Sequence, residues 1–352
     1  MDLNKYLADI KEIDYSLESE IQAKLDNLTK PVGSLGRLEE LAKKYCLIRN
    51  TVDPDIKDKV IFTLAADHGI AQSGISAYPS EVTYQMVLNF IGGGAGINVL
   101  SKYCGARVII ADMGVKGSFQ TDNAAFKDKK ISEGTKSIIN GPAMTREEAL
   151  RSVVGGIELV EEELEKGLDI IGIGDMGIGN TTASSAIVSV FTGRDAREVT
   201  GIGTGIGHMA LVHKIDVIEK AIKINKPEKT DPLDVLSKIG GFEIGGLAGV
   251  IIAGAANNIP VVIDGFISGA AALIAVSLKP QISDYLIASH CSVEPGHRIT
   301  LDHMGLKPLL DLDLRLGEGT GAVMGIWLLE AGIKLMNEMA TFEKAGVSKK
   351  NA

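Results

Sequence analysis

Five short, nearly unbroken apolar runs separated by helix-like stretches constrain this chain more than any other feature. The strongest, Val60-Ile61-Phe62-Thr63-Leu64-Ala65-Ala66, lacks the polar alternation of a half-exposed strand and suits a sheet covered on both faces. Ala106 to Ala111, Ile170 to Ile173, Ile259 to Ile263 and, more weakly, Tyr285 to Ala288 repeat the pattern. Between them lie segments with helical character, Glu81 to Leu100, Arg146 to Lys166 and Leu211 to Ile224. This alternation predicts an α/β fold, a parallel sheet with helices on both faces. Residues 1 to about 50 carry apolar positions at helical spacing (Leu38, Leu41, Ala42, Tyr45), with a helix start expected from Ser34 and Arg37 to Glu40.

Composition removes several function classes. At 352 residues and 45% hydrophobic content, the chain can bury one large core and a smaller unit. The formal charge of -9 offers no global basic surface for nucleic acid or an anionic membrane, so an anionic substrate must be held by local groups. The most apolar stretch, Ile244 to Val276, is interrupted by Asn257, Asn258, Pro260 and Asp264, and reads as a buried core segment. Cys46, Cys104 and Cys291 form no C-x-x-C pair, and the opening Met-Asp-Leu-Asn-Lys-Tyr-Leu is unlike a signal peptide, so a reducing cytoplasmic setting is expected. The six histidines show no metal-ligand spacing, and no metal is expected. Ser348 to Ala352 is expected to fray.

In open parallel sheets ligands bind beyond the carboxyl ends of the strands. The segments there are Asp67-His68-Gly69, Asp112-Met113-Gly114, Gly174 to Thr182, Asp264-Gly265-Phe266 and Ser289-His290. Gly172 to Gly177 satisfies G-x-G-x-x-G, but Thr182 to Phe191 reads as a helix, which leaves Asp195 and Glu198 in the loop after it and no acid on a following strand to hold a ribose. The alternatives are a tight strand-to-helix turn and a single-phosphate site, with Asn180, Thr181 and Thr182 opening a helix N-terminus. Gly201 to Gly207 is a second glycine loop, followed by Lys214, which is either a phosphate-directed charge or a solvated surface lysine. Arg315 to Gly321 places one carboxylate, Glu318, between glycines. Leu316 and the apolar stretch Ala322 to Leu329 would partly desolvate it and raise its pKa toward that of a useful base. His290 and His68 line the site or are structural, and Asp67 and Asp264 either contact substrate or order their loops.

Six segments, in this order along nearly the whole chain, carry a resemblance. They are Lys30 to Glu39, Ala66 to Ile70 with Ser76 to Thr83, Gly174 to Thr182, Gly240 to Ile244, Val262 to Phe266 and Leu310 to Gly321. Together they resemble the nicotinate-nucleotide:dimethylbenzimidazole phosphoribosyltransferases of cobalamin nucleotide-loop assembly. The resemblance implies a Rossmann-like large domain over about 51–324 and a small helical domain from 1–50 plus about 325–352. It also implies a dimer, homomeric or with a similar subunit, whose active sites lie near the subunit contact. No cofactor is implied.

The implied substrates are nicotinate mononucleotide and an aromatic base. Glu318 matches the family's catalytic carboxylate, which takes the proton of the attacking base while nicotinate leaves and the anomeric configuration inverts. Gly174, Gly177, Gly179, Asn180, Thr181, Thr182, Lys214, Ser289 and His290 are the implied nucleotide side, Tyr78, Met86 and Leu316 the implied base side, and Gly203, Asp264, Ser80 and Gly317 further expected substrate contacts. Asp175, assigned to the catalytic set, stands where the family pattern has glutamate, and Gly203 to His208 lacks the paired acids many members carry. Both departures bear on which acceptor is used. Alternatives to the benzimidazole reading are a phenol- or cresol-activating subunit of a heterodimer, a non-catalytic partner subunit, and a nicotinamide-dependent oxidoreductase.

Overall fold

In the computed structural model, which describes residues 2–348, six strands form one sheet: β1 (Lys59–Ala66), β2 (Arg107–Gly114), β3 (Phe126–Asp128), β4 (Ile170–Met176), β5 (Val261–Ile263) and β6 (Leu286–Ala288). Every pair is parallel, in the order β3-β2-β1-β4-β5-β6. The chain therefore reverses its direction of winding between β1 and β4, where a crevice opens above the strand ends. The five expected strands are present. The sixth, β3, is a three-residue edge strand in a charged segment, too short to give an apolar run. The tail beyond Ser348, where fraying was expected, lies outside the described residues.

β1 shows why the run at Val60 reads as doubly covered. Val60, Phe62, Leu64 and Ala66 enter one core, with helices Arg146–Leu164 and Phe242–Ala256, while Ile61 and Ala65 enter the other. The period of two directs alternate residues to opposite faces, and both faces are covered. On the first face, the two helices cross so closely that a Cβ on Gly156 would lie 1.8 Å from the Gly246 carbonyl oxygen. On the second face, helix Arg37–Arg49 packs with helix Thr320–Glu338, and Leu28 bridges to Thr341, so both chain ends meet over Ile61, Ile110, Ile170 and Val262. The start of helix Arg37–Arg49 differs from expectation. Gly36, and not Ser34, is its N-cap, and Glu39 accepts a hydrogen bond from the Leu35 N–H at 2.9 Å.

One difference shapes the site. The stretch Glu81 to Leu100 is two helices, Glu81–Ile91 and Gly96–Cys104, because Gly92-Gly93-Gly94 breaks it, with Gly93 at φ +78°. The break aims a new helix N-terminus at the sheet's carboxyl edge. Among the described residues no helix is long and apolar enough to cross a membrane.

Candidate active site

A cavity of about 480 Å³ opens at the reversal between β1 and β4. Its floor is the end of β4, which runs three residues further than the sequence suggests, so that Gly174, Asp175 and Met176 belong to the strand. The Glu318 loop lies directly across this strand end. A Cβ on Gly174 would sit 2.1 Å from the Glu318 carbonyl carbon, so only glycine permits the approach. The loop is held from both sides. The Glu318 N–H donates to the Asp175 carbonyl at 3.2 Å, and Thr63, the one polar side chain within β1 beyond its first residue, donates to the Glu318 carbonyl at 2.8 Å.

Glu318 itself adopts φ +64°, a conformation that L side chains rarely take. Its carboxylate is buried and accepts the Ile97 N–H at 3.1 Å, at the first turn of helix Gly96–Cys104. Burial pushes its carboxyl above the ordinary glutamate range. The Ile97 and Gly96 amides pull it back, and the negative charge of Asp264 adds to the rise. Leu316 is 61% exposed and forms a lip of the cavity, and the first turn of helix Gly96–Cys104 packs against the carboxylate.

Asp175 is a second perturbed acid. Burial, then the charges of Asp264 and Glu243, raise its carboxyl well above the ordinary aspartate range, against the hydrogen bond from the Asn180 amide at 2.8 Å. Its other oxygen has no partner and the residue lines the cavity, so a protonated Asp175 can donate to a ligand. His290 also lines the wall. Burial lowers its pKa, but Asp264, with Oδ1 3.5 Å from Nε2, outweighs that and the net shift is upward.

Glu318, Asp175, Gly177, Asn180, Thr181, Gly203, His290, Tyr78, Met86, Leu316 and Gly317 are brought together around one cavity. The remaining candidates stand behind it. Gly174 admits the loop, and Gly179, at φ +99°, caps helix Asn180–Thr192. Thr182 is fully buried on the inner side of that helix, Ser289 is fully buried and donates to the Ile263 carbonyl at 2.7 Å, and Ser80 begins helix Glu81–Ile91. Asp264 has a loop-ordering role: it accepts the N–H groups of Gly321 at 2.7 Å and of Gly319 and Ala322 at 3.2 Å, which leaves it as the cap beneath the Glu318 loop.

Lys214 is not a solvated surface lysine. It is fully buried, donates to Thr181 Oγ1 at 2.9 Å and the Gly201 carbonyl at 3.3 Å, and has a pKa lowered to about 8 by burial, against the charge of Glu294. Its ammonium lies directly under the Thr181 and Gly203 turn. His68 pairs with buried Glu243 at 2.6 Å, and Asp67 accepts the Lys116 N–H, so both order their loops.

Val82, Ser292 and Glu294 also line the cavity without having been expected there, and so do Ile178, Thr204, Phe266 and Arg315, which lie in loops expected at the site but were given no individual role. The apolar members look like ordinary core in sequence. Glu294 does carry a signal: it precedes Pro295 at a helix start, yet it makes no cap bond and instead accepts the Gly203 N–H at 2.8 Å. Among the described residues no group of three or more His, Cys, Asp or Glu side chains is placed to hold a metal ion.

Comparison with known proteins agrees with this geometry. A family model described as phosphoribosyltransferase matches residues 10–347. The nicotinate-nucleotide–dimethylbenzimidazole phosphoribosyltransferase of Geobacter metallireducens is 52% identical over 347 residues, covering 99% of this chain and 98% of that protein. The enzyme of the same name from Desulforudis audaxviator is 53% identical over 346 residues, covering 98% of each. A solved structure of CobT from Thermus thermophilus superposes with a TM-score of 0.89 at 39% identity, covering 98% of this chain and 100% of that one. Neither relative is named for a phenol acceptor, so the phenol-activating alternative is not favoured. The chain belongs to the nicotinate-nucleotide–dimethylbenzimidazole phosphoribosyltransferase family.

Proposed function

We propose that the chain transfers the ribose phosphate of nicotinate mononucleotide to dimethylbenzimidazole or a similar base for cobamide synthesis, with Glu318 as general base. What supports this is the lining of one cavity, which brings a polar, glycine-rich set and an apolar set together with Glu318. Gly177, Asn180, Thr181 and Gly203 form a polar, glycine-rich wall over the buried Lys214 charge, suited to a phosphate. Tyr78, Val82, Met86 and Leu316 form an apolar wall, suited to a planar ring.

A nitrogen lone pair of the acceptor attacks the anomeric carbon from the face opposite nicotinate. The glycosidic bond breaks, its electron pair returns to the nicotinate ring nitrogen and neutralises the pyridinium, and the configuration inverts. The acceptor's N–H proton passes to Glu318, which burial makes a stronger base than a solvated glutamate. Holding two rings about one carbon supplies much of the remaining acceleration. Asp175, as a neutral acid, donates a hydrogen bond within the site. The cavity is open between its walls, whereas a non-catalytic partner subunit has no need to keep it so.

The enzyme works as a dimer in this reading, supported by exposed Tyr103, Leu312 and Trp327 on and beside helices Gly96–Cys104 and Thr320–Glu338, whose N-terminal ends lie next to Glu318. A cytoplasmic site fits its three buried, unpaired cysteines. The test is incubation of purified protein with nicotinate mononucleotide and dimethylbenzimidazole, adenine or phenol in turn. Nicotinate release with formation of the α-ribotide is expected for dimethylbenzimidazole, and absence of release with every acceptor rejects the reading.

A further inference from the structure

Two residues of the second glycine loop reach both sides of the cavity. Gly203 donates its N–H to Glu294 Oε1 at 2.8 Å, and its carbonyl accepts from the Arg315 guanidinium at 3.3 Å, which ties the loop to the segment carrying Glu318. The next residue, Thr204, reaches the opposite way. Its Oγ1 accepts the Ala77 N–H at 2.9 Å and lies 3.2 Å from Ser76 Oγ, so that one hydroxyl donates to the other. Ser76 Oγ in turn accepts the Tyr78 N–H at 3.1 Å.

The segment these bonds hold has little else to hold it. Between Gly74 and Ser80 only Ile75 is buried, and Tyr78 is 55% exposed although it lines the cavity. At its near end the segment is tied by His213, whose Nε2 is 2.7 Å from the Ser73 carbonyl, and at its far end it enters helix Glu81–Ile91. The middle is fixed by Thr204 alone among the described side chains outside the segment. His213 and Thr204 both belong to the nucleotide side: the first is adjacent to Lys214 on the same helix, the second adjacent to Gly203.

We propose that Thr204 is a positioning residue that joins the nucleotide-binding loop to the acceptor-binding lip, so that seating the ribose phosphate on Gly203 also fixes Tyr78 for the incoming base. The inference rests on the phosphoribosyl-transfer reading above. Ordering the Gly203 loop with nucleotide removes freedom that the acceptor lip otherwise has to lose, which makes the two substrates bind synergistically.

The variants are Thr204→Val, which keeps the shape and removes the hydroxyl, and Thr204→Ser, which restores it. Steady-state kinetics on the full-length protein with nicotinate mononucleotide and dimethylbenzimidazole is expected to show acceptor KM rising on the order of tenfold in Thr204→Val, the loss of one to two hydrogen bonds. The nucleotide Kd of the acceptor-free protein and kcat are expected to stay within about twofold, while nucleotide KM at saturating acceptor rises in step with acceptor KM, as reciprocal coupling requires, and Thr204→Ser is expected to return acceptor KM to within about threefold of the parent. In the parent, saturating nucleotide lowers the apparent acceptor Kd, and in Thr204→Val this synergy disappears. An unchanged acceptor KM, or a nucleotide Kd of the acceptor-free protein that rises as much as the acceptor KM, overturns the coupling. Ser76→Ala, which leaves the Ala77 bond, gives an intermediate acceptor KM if the chain of bonds is the cause, and a parental one if it is not. A parent protein that releases no nicotinate overturns the function itself, an outcome distinct from any of these.

Discussion

Glu318→Gln is the most direct perturbation of the proposed chemistry, because it removes the proton-accepting group and little else. The glutamine carbonyl can still accept the Ile97 N–H, now at 3.1 Å from Oε2, and the backbone bonds to Asp175 and Thr63 do not involve the side chain. Global stability is therefore expected to change by less than about 1 kcal/mol. Loss of a positioned general base costs roughly 10²- to 10⁴-fold, or about 2.7 to 5.5 kcal/mol of barrier at ~1.36 kcal/mol per decade. Because the group acts in the transition state, the loss falls on kcat, with both KM values within about threefold. Burial raises the Glu318 carboxyl above its ordinary 4.5, so activity of the parent falls as pH drops through that raised value and the base becomes protonated. Nicotinate release followed by chromatography across about pH 4 to 9 reads both effects. A variant within tenfold of the parent, or one that retains the acid limb, would place the proton acceptor elsewhere.

Three further outcomes follow from neighbouring groups. With the Lys214 pKa at about 8 in the free protein, a bound phosphate favours the charged form, so nucleotide KM is expected to rise as pH passes above about 8, and in Lys214→Met to be roughly 10- to 100-fold higher with that limb absent. Asp175, raised by burial, contributes stability that is fully present below its ordinary 3.8 and is lost as pH rises through the folded-state value; Asp175→Asn should flatten Tm against pH above about 3.8 and melt higher than the parent at the alkaline end. Gly174→Ala drives a Cβ to 2.1 Å from the Glu318 carbonyl carbon, and is expected to lower stability by about 1–3 kcal/mol in urea titration and to reduce kcat by shifting the loop.

The sheet was legible because β1, β2 and β4 are buried on both faces, and a run such as Val60 to Ala66 has no other comfortable environment. The loops above it were legible for a related reason: glycines beside acids and hydroxyls have no role in a core. What local pattern could not show was depth. Lys214 and Asp264 are polar residues whose partners, Thr181 and the Gly319, Gly321 and Ala322 amides, lie 33 and more than 50 positions away, so neither the burial of the first nor the capping role of the second has a local signature. The helix break at Gly92-Gly93-Gly94 did have one. Three successive glycines inside a helical pattern are a stop signal, and reading through them hid the helix N-terminus that receives Glu318.

That helix N-terminus also explains how so unfavourable a residue is tolerated at position 318. A buried carboxylate and a left-handed backbone each oppose folding, the latter by roughly 1–2 kcal/mol for a residue with a Cβ. Glycine at 318 would relieve both, and the loop already uses glycine at 317 and 319 under the same backbone demand. The carboxylate is retained against that preference with its supports drawn from four separate places in the fold: Asp175 in β4, Thr63 in β1, Ile97 at a helix start, and Asp264 after β5 beneath the following turn. Local strain over-determined by distant supports marks a group kept for chemistry. It also implies that losing any one support displaces Glu318 before it unfolds the protein, so Thr63→Val should reduce kcat at least tenfold while its melting temperature moves only a few degrees.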